Sequence, residues 1–217
     1  MDQHRTDPAE FWEARYSTER GESGRVWSGR VNATVAQEVR DVTPGTALDL
    51  GSGEGGDALW LAQEGWTVTA VDISRTALDV GAERAAEEGL ADRIEWVQAD
   101  LAAWHPAQEY DLVSAAFLHS PVELPREEIL RRAVSAVAPG GRLLVVGHAA
   151  FPPSSTHHDH ENAAPLPTTD EVLAALELPE DWTIETKTLV DRPVIWRDGS
   201  NITLVDTVLR VRRPADA

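Results

Sequence analysis

Ala47-Leu48-Asp49-Leu50-Gly51-Ser52-Gly53-Glu54-Gly55-Gly56-Asp57 runs a short apolar strand into a glycine-rich turn. The residues that follow, Ala58, Leu61 and Ala62, are spaced i, i+3, i+4 and predict a helix. Gly51, Gly53 and Gly56 fit the G-x-G-x-x-G spacing that brings backbone close to a nucleotide. A second strand, Thr67-Val68-Thr69-Ala70-Val71, ends in Asp72, about twenty residues after the first glycine, where a ribose-binding acid belongs. A third, Ile94-Glu95-Trp96-Val97-Gln98, ends near Asp100. Acids thus mark the carboxyl ends of three successive strands, the edge where open α/β sheets bind ligands.

Charge narrows the ligand. A pyrophosphate prefers bare N–H groups and a helix N-terminus, whereas this turn carries Asp49, Glu54 and Asp57. Carboxylates repel a pyrophosphate at close range and suit a nucleoside bearing an ammonium and a sulfonium. S-adenosylmethionine is such a molecule, and the chain resembles the class I S-adenosylmethionine-dependent methyltransferases. The segments that carry the resemblance are residues 47–55, Val71-Asp72-Ile73-Ser74, Gln98-Ala99-Asp100-Leu101, Tyr110-Asp111-Leu112-Val113-Ser114 and Pro139-Gly140-Gly141-Arg142-Leu143-Leu144. Phe11-Trp12-Glu13-Ala14-Arg15-Tyr16 and Val26-Trp27-Ser28-Gly29 look like the small thiopurine and tellurite-resistance branch of that family.

The strand and helix patterns predict an α/β fold. It is a Rossmann-like three-layer sandwich on a seven-stranded, mostly parallel sheet with an antiparallel last strand. Asp7 and Pro8 open a first helix to about Tyr16, and Asn32 caps a second to about Arg40. Ser74 caps a helix that Gly89 closes, and Pro125 opens one in which Glu127 and Glu128 precede Arg131 and Arg132 by four residues. Tyr110 to Ala116 reads as the fourth strand; Pro139-Gly140-Gly141 stops the helix before the fifth, Arg142 to Gly147. Trp182 to Val190 and Asn201 to Val211 close the sheet as a hairpin across a loop from Asp191 to Ser200. Residues 1–217 are expected to form a single domain: N-terminal helices and cover (1–45), a cofactor-binding core (46–148), then a lid loop, helix and hairpin (149–217).

The 217 residues have 42% hydrophobic and 26% charged content and suit one globular core. A formal net charge of −18 opposes phosphate backbones, so a nucleic-acid partner is not expected. There is no cysteine for a disulfide or thiolate metal site and no apolar run near the roughly 20 residues of a membrane span. A cytoplasmic monomer or homodimer acting on a small-molecule methyl acceptor is expected. His157-His158-Asp159-His160-Glu161 invites a metal reading, but adjacent loop residues seldom converge on one ion, and no metal is expected.

The resemblance implies the site. Gly51 and Gly53 give the cofactor close backbone approach, Asp49 orients the turn or reaches the methionine ammonium, and Asp72 takes both ribose hydroxyls. Asp100 accepts from the adenine amino group, Leu101 donates its backbone N–H, and Ile73 floors the ring. Trp27 covers cofactor or substrate, with its face toward the sulfonium. Phe117, His119 and His148 face the methyl acceptor, with His119 either a general base, in acidic surroundings that stabilise its imidazolium, or a group that orients the substrate. A nicotinamide-dependent oxidoreductase shares Gly51, Gly53, Gly56 and Asp72 but leaves Asp49, Asp100 and the hairpin without a role. A cofactor-binding module without turnover also fits these residues. The loop from Phe151 to Pro167 is expected to close over the ligand together with the segment around Trp27.

Overall fold

A computed structural model describes residues 6–19, 24–150, 166–195 and 199–216. In chain order the elements are α1 (Pro8–Thr18), α2 (Ala33–Val39), β1 (Thr46–Leu50), α3 (Gly56–Gln63), β2 (Thr67–Asp72), α4 (Arg75–Glu87) and β3 (Ile94–Gln98). They continue with β4 (Tyr110–Ala116), α5 (Arg126–Ser135), β5 (Val137–His148), α6 (Thr169–Leu176), β6 (Thr183–Ile195) and β7 (Asn201–Arg212). One seven-stranded sheet has the order β3-β2-β1-β4-β5-β7-β6. Its strands run parallel except β7, which lies antiparallel to both β5 and β6.

Alternation along the strands builds a core on each face. Leu48, Leu50, Val113, Leu143, Val145, Leu209 and Val211 pack with Ile129, Leu130 and Ala133 of α5 and Val172 and Leu176 of α6. Ala47, Val68, Ala70, Leu112, Leu144, Val146 and Val208 pack with Val35 and Val39 of α2 and with Ala58, Leu59, Leu61 and Ala62 of α3. Both faces are covered, which is why these strands read as near-continuous apolar runs.

The helix starts follow local chemistry. Asp7 accepts from the N–H groups of Ala9 and Glu10, Asn32 from those of Thr34 and Val35, and Ser74 from that of Ala77. Thr168 and Glu171 close a reciprocal box at α6.

Three expectations are corrected. Pro139-Gly140-Gly141 does not separate α5 from β5. The strand begins at Val137, opposite Tyr110, and shifts register before Arg142 pairs with Leu112. Strand β6 does not stop at Val190 but runs through Pro193 to Ile195. It is the sheet's edge and pairs only with β7, so an imino residue costs it no inner ladder bond. Arg131 and Arg132 do not pair with Glu127 and Glu128. Arg131 reaches Glu177 at 3.3 Å, and Arg132 donates to the carbonyls of Leu101 and Ala102.

Among the described residues no helix is long and apolar enough to cross a membrane. Most of the expected lid and all of residues 157–161 lie outside the described residues, and no metal-holding group of His, Asp and Glu occurs among those described.

Candidate active site

The turn after β1 is held by its neighbour strand. Both Gly51 and Ser52 donate their N–H to the Val71 carbonyl, at 2.8 and 3.0 Å. Gly51 and Gly53 have φ of 73° and 53°, a region that L side chains rarely enter. Their bareness also admits neighbours: an added Cβ would lie 2.8 Å from Leu118 Cδ1 at Gly51 and 2.8 Å from the Tyr16 hydroxyl at Gly53. Asp72, buried at the end of β2, accepts from Gly53 N–H at 2.8 Å and Ser74 N–H at 2.9 Å. Burial raises its pKa despite those bonds, and Glu13 pushes the same way.

Asp49 stands apart. It is 2% exposed, and its Oδ2 has no hydrogen-bond partner among the described residues. The hydroxyls of Ser52 and Ser114 are also buried and unpartnered among the described residues, and Ser114 is the β4 residue in register with Asp49. Burial first, then Asp57 and Asp72, raise the Asp49 pKa well above the carboxylate range. A cation against Oδ2 would satisfy the orphaned oxygen and restore its charge.

The other two carboxylates of the turn have local duties, which corrects the expectation that all three face the ligand. Glu54 is buried and clamps the N-terminal segment, accepting from Val26 and Trp27 N–H, each at 2.9 Å. Asp57 accepts from Asn32 N–H at 2.7 Å, and burial raises its pKa to about 6. Arg84 adds a bond to the Gly29 carbonyl at 2.9 Å. The segment is thus strapped over the turn by residues of α3, α4 and the turn itself.

Trp27, 45% exposed, donates its indole N–H to Tyr16 at 2.9 Å. Its ring already has a cation, the Arg15 guanidinium, 5.5 Å from the centroid, where a sulfonium was expected. Helix α1 spans the strand ends. Glu13 accepts from Ser74 Oγ at 2.7 Å and from Thr76, while Trp12 donates to Ser120 Oγ at 3.3 Å beyond β4. Tyr16 is buried, and its pKa is raised by burial and by Asp72. Trp12 thus ties α1 to the loop after β4, and Tyr16 ties it to Trp27.

Beyond β3, Asp100 is exposed and its Oδ1 accepts from Ala102 N–H at 2.8 Å. Leu101 is buried, and the partly buried Ile73 accepts from Gln98 at 3.3 Å through its carbonyl. Trp96 fills the space left by Gly55 and Gly81. The expected cofactor residues on β1, β2 and β3 therefore lie along one end of the sheet.

The acceptor-side residues also converge. Phe117 follows β4 with a φ of 51°, a strained value for a bulky side chain. Its ring centroid is 4.4 Å from that of His148, and the Arg192 guanidinium lies 5.2 Å from it. His119 stacks on His148 at 5.9 Å, and its Nε2 accepts from His148 N–H at 3.3 Å. That bond puts the neutral ring's proton on Nδ1. The surroundings of His119 are not acidic. Burial, then the Arg126 guanidinium, then His148 push its pKa down to about 4, so the expected support for an imidazolium is reversed.

Arg192 and Asp206 were missed by sequence reasoning. Asp206 is 0% exposed and takes Arg192 through Nε at 2.6 Å and Nη2 at 3.1 Å, with Thr34 Oγ1 at 3.0 Å. Its pKa is lowered: bonds from neighbours including Arg192 and Thr34 outweigh the opposing effect of burial. His148 Nδ1 stands 3.7 Å from the same carboxylate, beyond hydrogen-bond length.

Sheet, turn and strand-end acids together define the class I S-adenosylmethionine-dependent methyltransferase fold, and residues 47–141 match the family described as "Methyltransferase domain". "Methyltransferase GfsG" of Streptomyces halstedii is 36% identical over 109 residues, 48% of this chain and 38% of that protein. The "2-heptyl-1-hydroxyquinolin-4(1H)-one methyltransferase" of Mycobacteroides abscessus is 38% identical over 117 residues, 50% of this chain and 49% of that protein. The chain thus spans about half or less of the length of these relatives. A solved structure described as "Conversion of a Disulfide Bond into a Thioacetal Group during Echinomycin Biosynthesis" superposes with a TM-score of 0.68 at 25% identity, covering 96% of this chain and 93% of that one. What these matches share is the family, not the thiopurine and tellurite-resistance branch.

Proposed function

We propose that the chain transfers a methyl group from S-adenosylmethionine to a small-molecule acceptor, and that residues 1–217 act as one domain. The observation that carries this is Asp49 near the end of β1, whose buried carboxylate oxygen has no partner among the described residues. A dinucleotide phosphate would find repulsion there, whereas an ammonium fits.

When bound, the cofactor supplies a methyl group already activated on a sulfonium, so the protein's work is positioning and exclusion of water. In this reading Asp49 holds the ammonium and Gly51 and Gly53 pass close to the ligand. Asp72 turns its carboxylate to the ribose hydroxyls, while Asp100, Leu101 and Ile73 serve the adenine. Trp27, Tyr16 and Trp12 close the N-terminal side, with Trp27 steadied by Arg15. Phe117, His119 and His148 border the acceptor. His119 serves as a positioning residue, because its accepting nitrogen is committed to His148 N–H and its basicity is low. The charge of −18 supports a small acceptor over a nucleic acid. A cytoplasmic monomer or homodimer is part of the same proposal.

Calorimetry with S-adenosylmethionine, S-adenosylhomocysteine and NAD tests the cofactor. Binding of the first two and not the third is expected, and binding of NAD alone overturns the proposal in favour of an oxidoreductase. A turnover screen with thiols, phenols and amines then tests transfer; cofactor binding with no product from any class would leave a binding module.

A further inference from the structure

The acceptor side holds a positive charge that no described residue pairs with. Four basic groups gather after β4 and β5: His119, His148, Arg126 and Arg192. Arg192 is neutralised by Asp206 through two bonds. His148 faces the same carboxylate at 3.7 Å. His119 is held neutral. Arg126 begins α5, and its guanidinium makes no hydrogen bond or ion pair among the described residues. Its Nε is buried and unpartnered, and burial lowers its pKa. The exposed Glu127 opposes that effect only in part. A half-buried guanidinium without a counter-ion is costly, and it is conspicuous in a chain of net charge −18.

Resting on the methyl-transfer reading, we infer that the acceptor binds as an anion, its charged oxygen or sulfur held by the Arg126 guanidinium. The acceptor gives its proton to water before the reaction, because the guanidinium favours the ionised form. The accepting atom's electron pair forms the new bond to the methyl carbon. The pair of the broken sulfur–carbon bond stays on sulfur, and negative and positive charge cancel. No side chain takes a proton, which agrees with a His119 whose accepting nitrogen is already occupied. The Trp12–Ser120 bond ties α1 to the loop that leads to α5.

The test uses 4-nitrophenol and 4-nitrothiophenol, whose anions are coloured, with nitrobenzene as the neutral match. Each is added to the full chain saturated with S-adenosylhomocysteine and titrated with acid while absorbance is read. The bound dyes should lose their proton at least about one pH unit below the free dyes, a tenfold shift. Arg126→Gln should abolish the shift, Arg126→Lys should keep part of it, and both variants should bind S-adenosylhomocysteine as the parent does. An unshifted or raised titration, an undiminished shift in Arg126→Gln, or failure of both dyes to bind beside bound S-adenosylhomocysteine overturns the inference. Equal affinity for nitrobenzene does so too. Failure of S-adenosylhomocysteine itself to bind strikes the methyl-transfer reading instead, and is measured first.

Discussion

Asp49 stores its cost until a ligand arrives. Without a cation the folded chain holds an acid that burial, Asp57 and Asp72 resist ionising. Asp49→Asn removes that acid at nearly constant volume, so the unliganded variant should melt higher at pH 7 than the parent. Its S-adenosylmethionine affinity should fall by about 1.5–3 kcal/mol, the scale of a hydrogen bond to a charged group. Melting curves and calorimetry on the same preparation check both signs; a variant that loses stability and keeps affinity contradicts the role given to Asp49. His119 makes the opposite kind of statement. A general base is worth about 10²–10⁴ in rate, whereas a positioning imidazole, measured as the His119→Ala loss in kcat, should cost about tenfold or less. The rate loss should also not grow across phenols of rising pKa.

Between elements, glycine does work that its backbone freedom alone does not explain. In α4, Gly81 sits where an added Cβ would lie 2.5 Å from the Trp96 ring of β3. Alanine in a helix interior normally gains about 1 kcal/mol over glycine, while overpacking costs about 1–3 kcal/mol. Gly81→Ala should therefore destabilise the chain, and the same change should be nearly neutral or favourable on a Trp96→Leu background. A double-mutant cycle by urea unfolding reads the difference, and additive effects would refute the contact. The same distinction separates what was legible in the sequence from what was not. The turn at 51–56, the caps at Asp7, Asn32 and Ser74, and the strand alternation are local, with period and cap residue in one short window. The partners of Glu54, Asp57 and Asp206 are not local: Thr34 and Asp206 meet across 172 residues. No composition signal announces that two of three turn carboxylates will clamp a loop. Arg126 and Arg192 carried no motif, and only the fold shows that Arg126 sets a positive charge against His119 while Asp206 takes up that of Arg192, the reverse of what the net charge suggested.

For the molecule as a whole, two buried groups tilt the pH dependence of stability in opposite directions. Asp57 has its folded pKa raised to about 6, so stability present below its unfolded value near 4 is lost as pH rises toward 6. His119 has its folded pKa lowered to about 4, so stability present above its unfolded value near 6.5 is lost as pH falls toward 4. Between about pH 4 and 6.5 these two contributions offset each other, while the raised pKa values of Asp49 and Asp72 add a loss of stability as pH rises. Relative to the parent, Asp57→Asn should gain stability as pH rises through that window, and His119→Asn should gain as pH falls. Differential scanning calorimetry at several pH values checks this, and parallel profiles for the two variants would refute it.

The reversed strand has a consequence for how the molecule is made. Strand β6 leaves the ribosome before β7, yet its only neighbour in the finished sheet is β7, which also closes the exposed flank of β5. While β6 has cleared the exit tunnel and β7 is still inside it, the nascent chain presents two open ladders at once, the condition that invites pairing with another copy or with a chaperone. Chains held at that length by a C-terminal linker should be cut by protease within residues 183–195, and chains on a longer linker that frees Arg212 from the tunnel should resist. For a short interval of synthesis, the closing of this protein's sheet waits on the 12 residues of β7 still inside the ribosome.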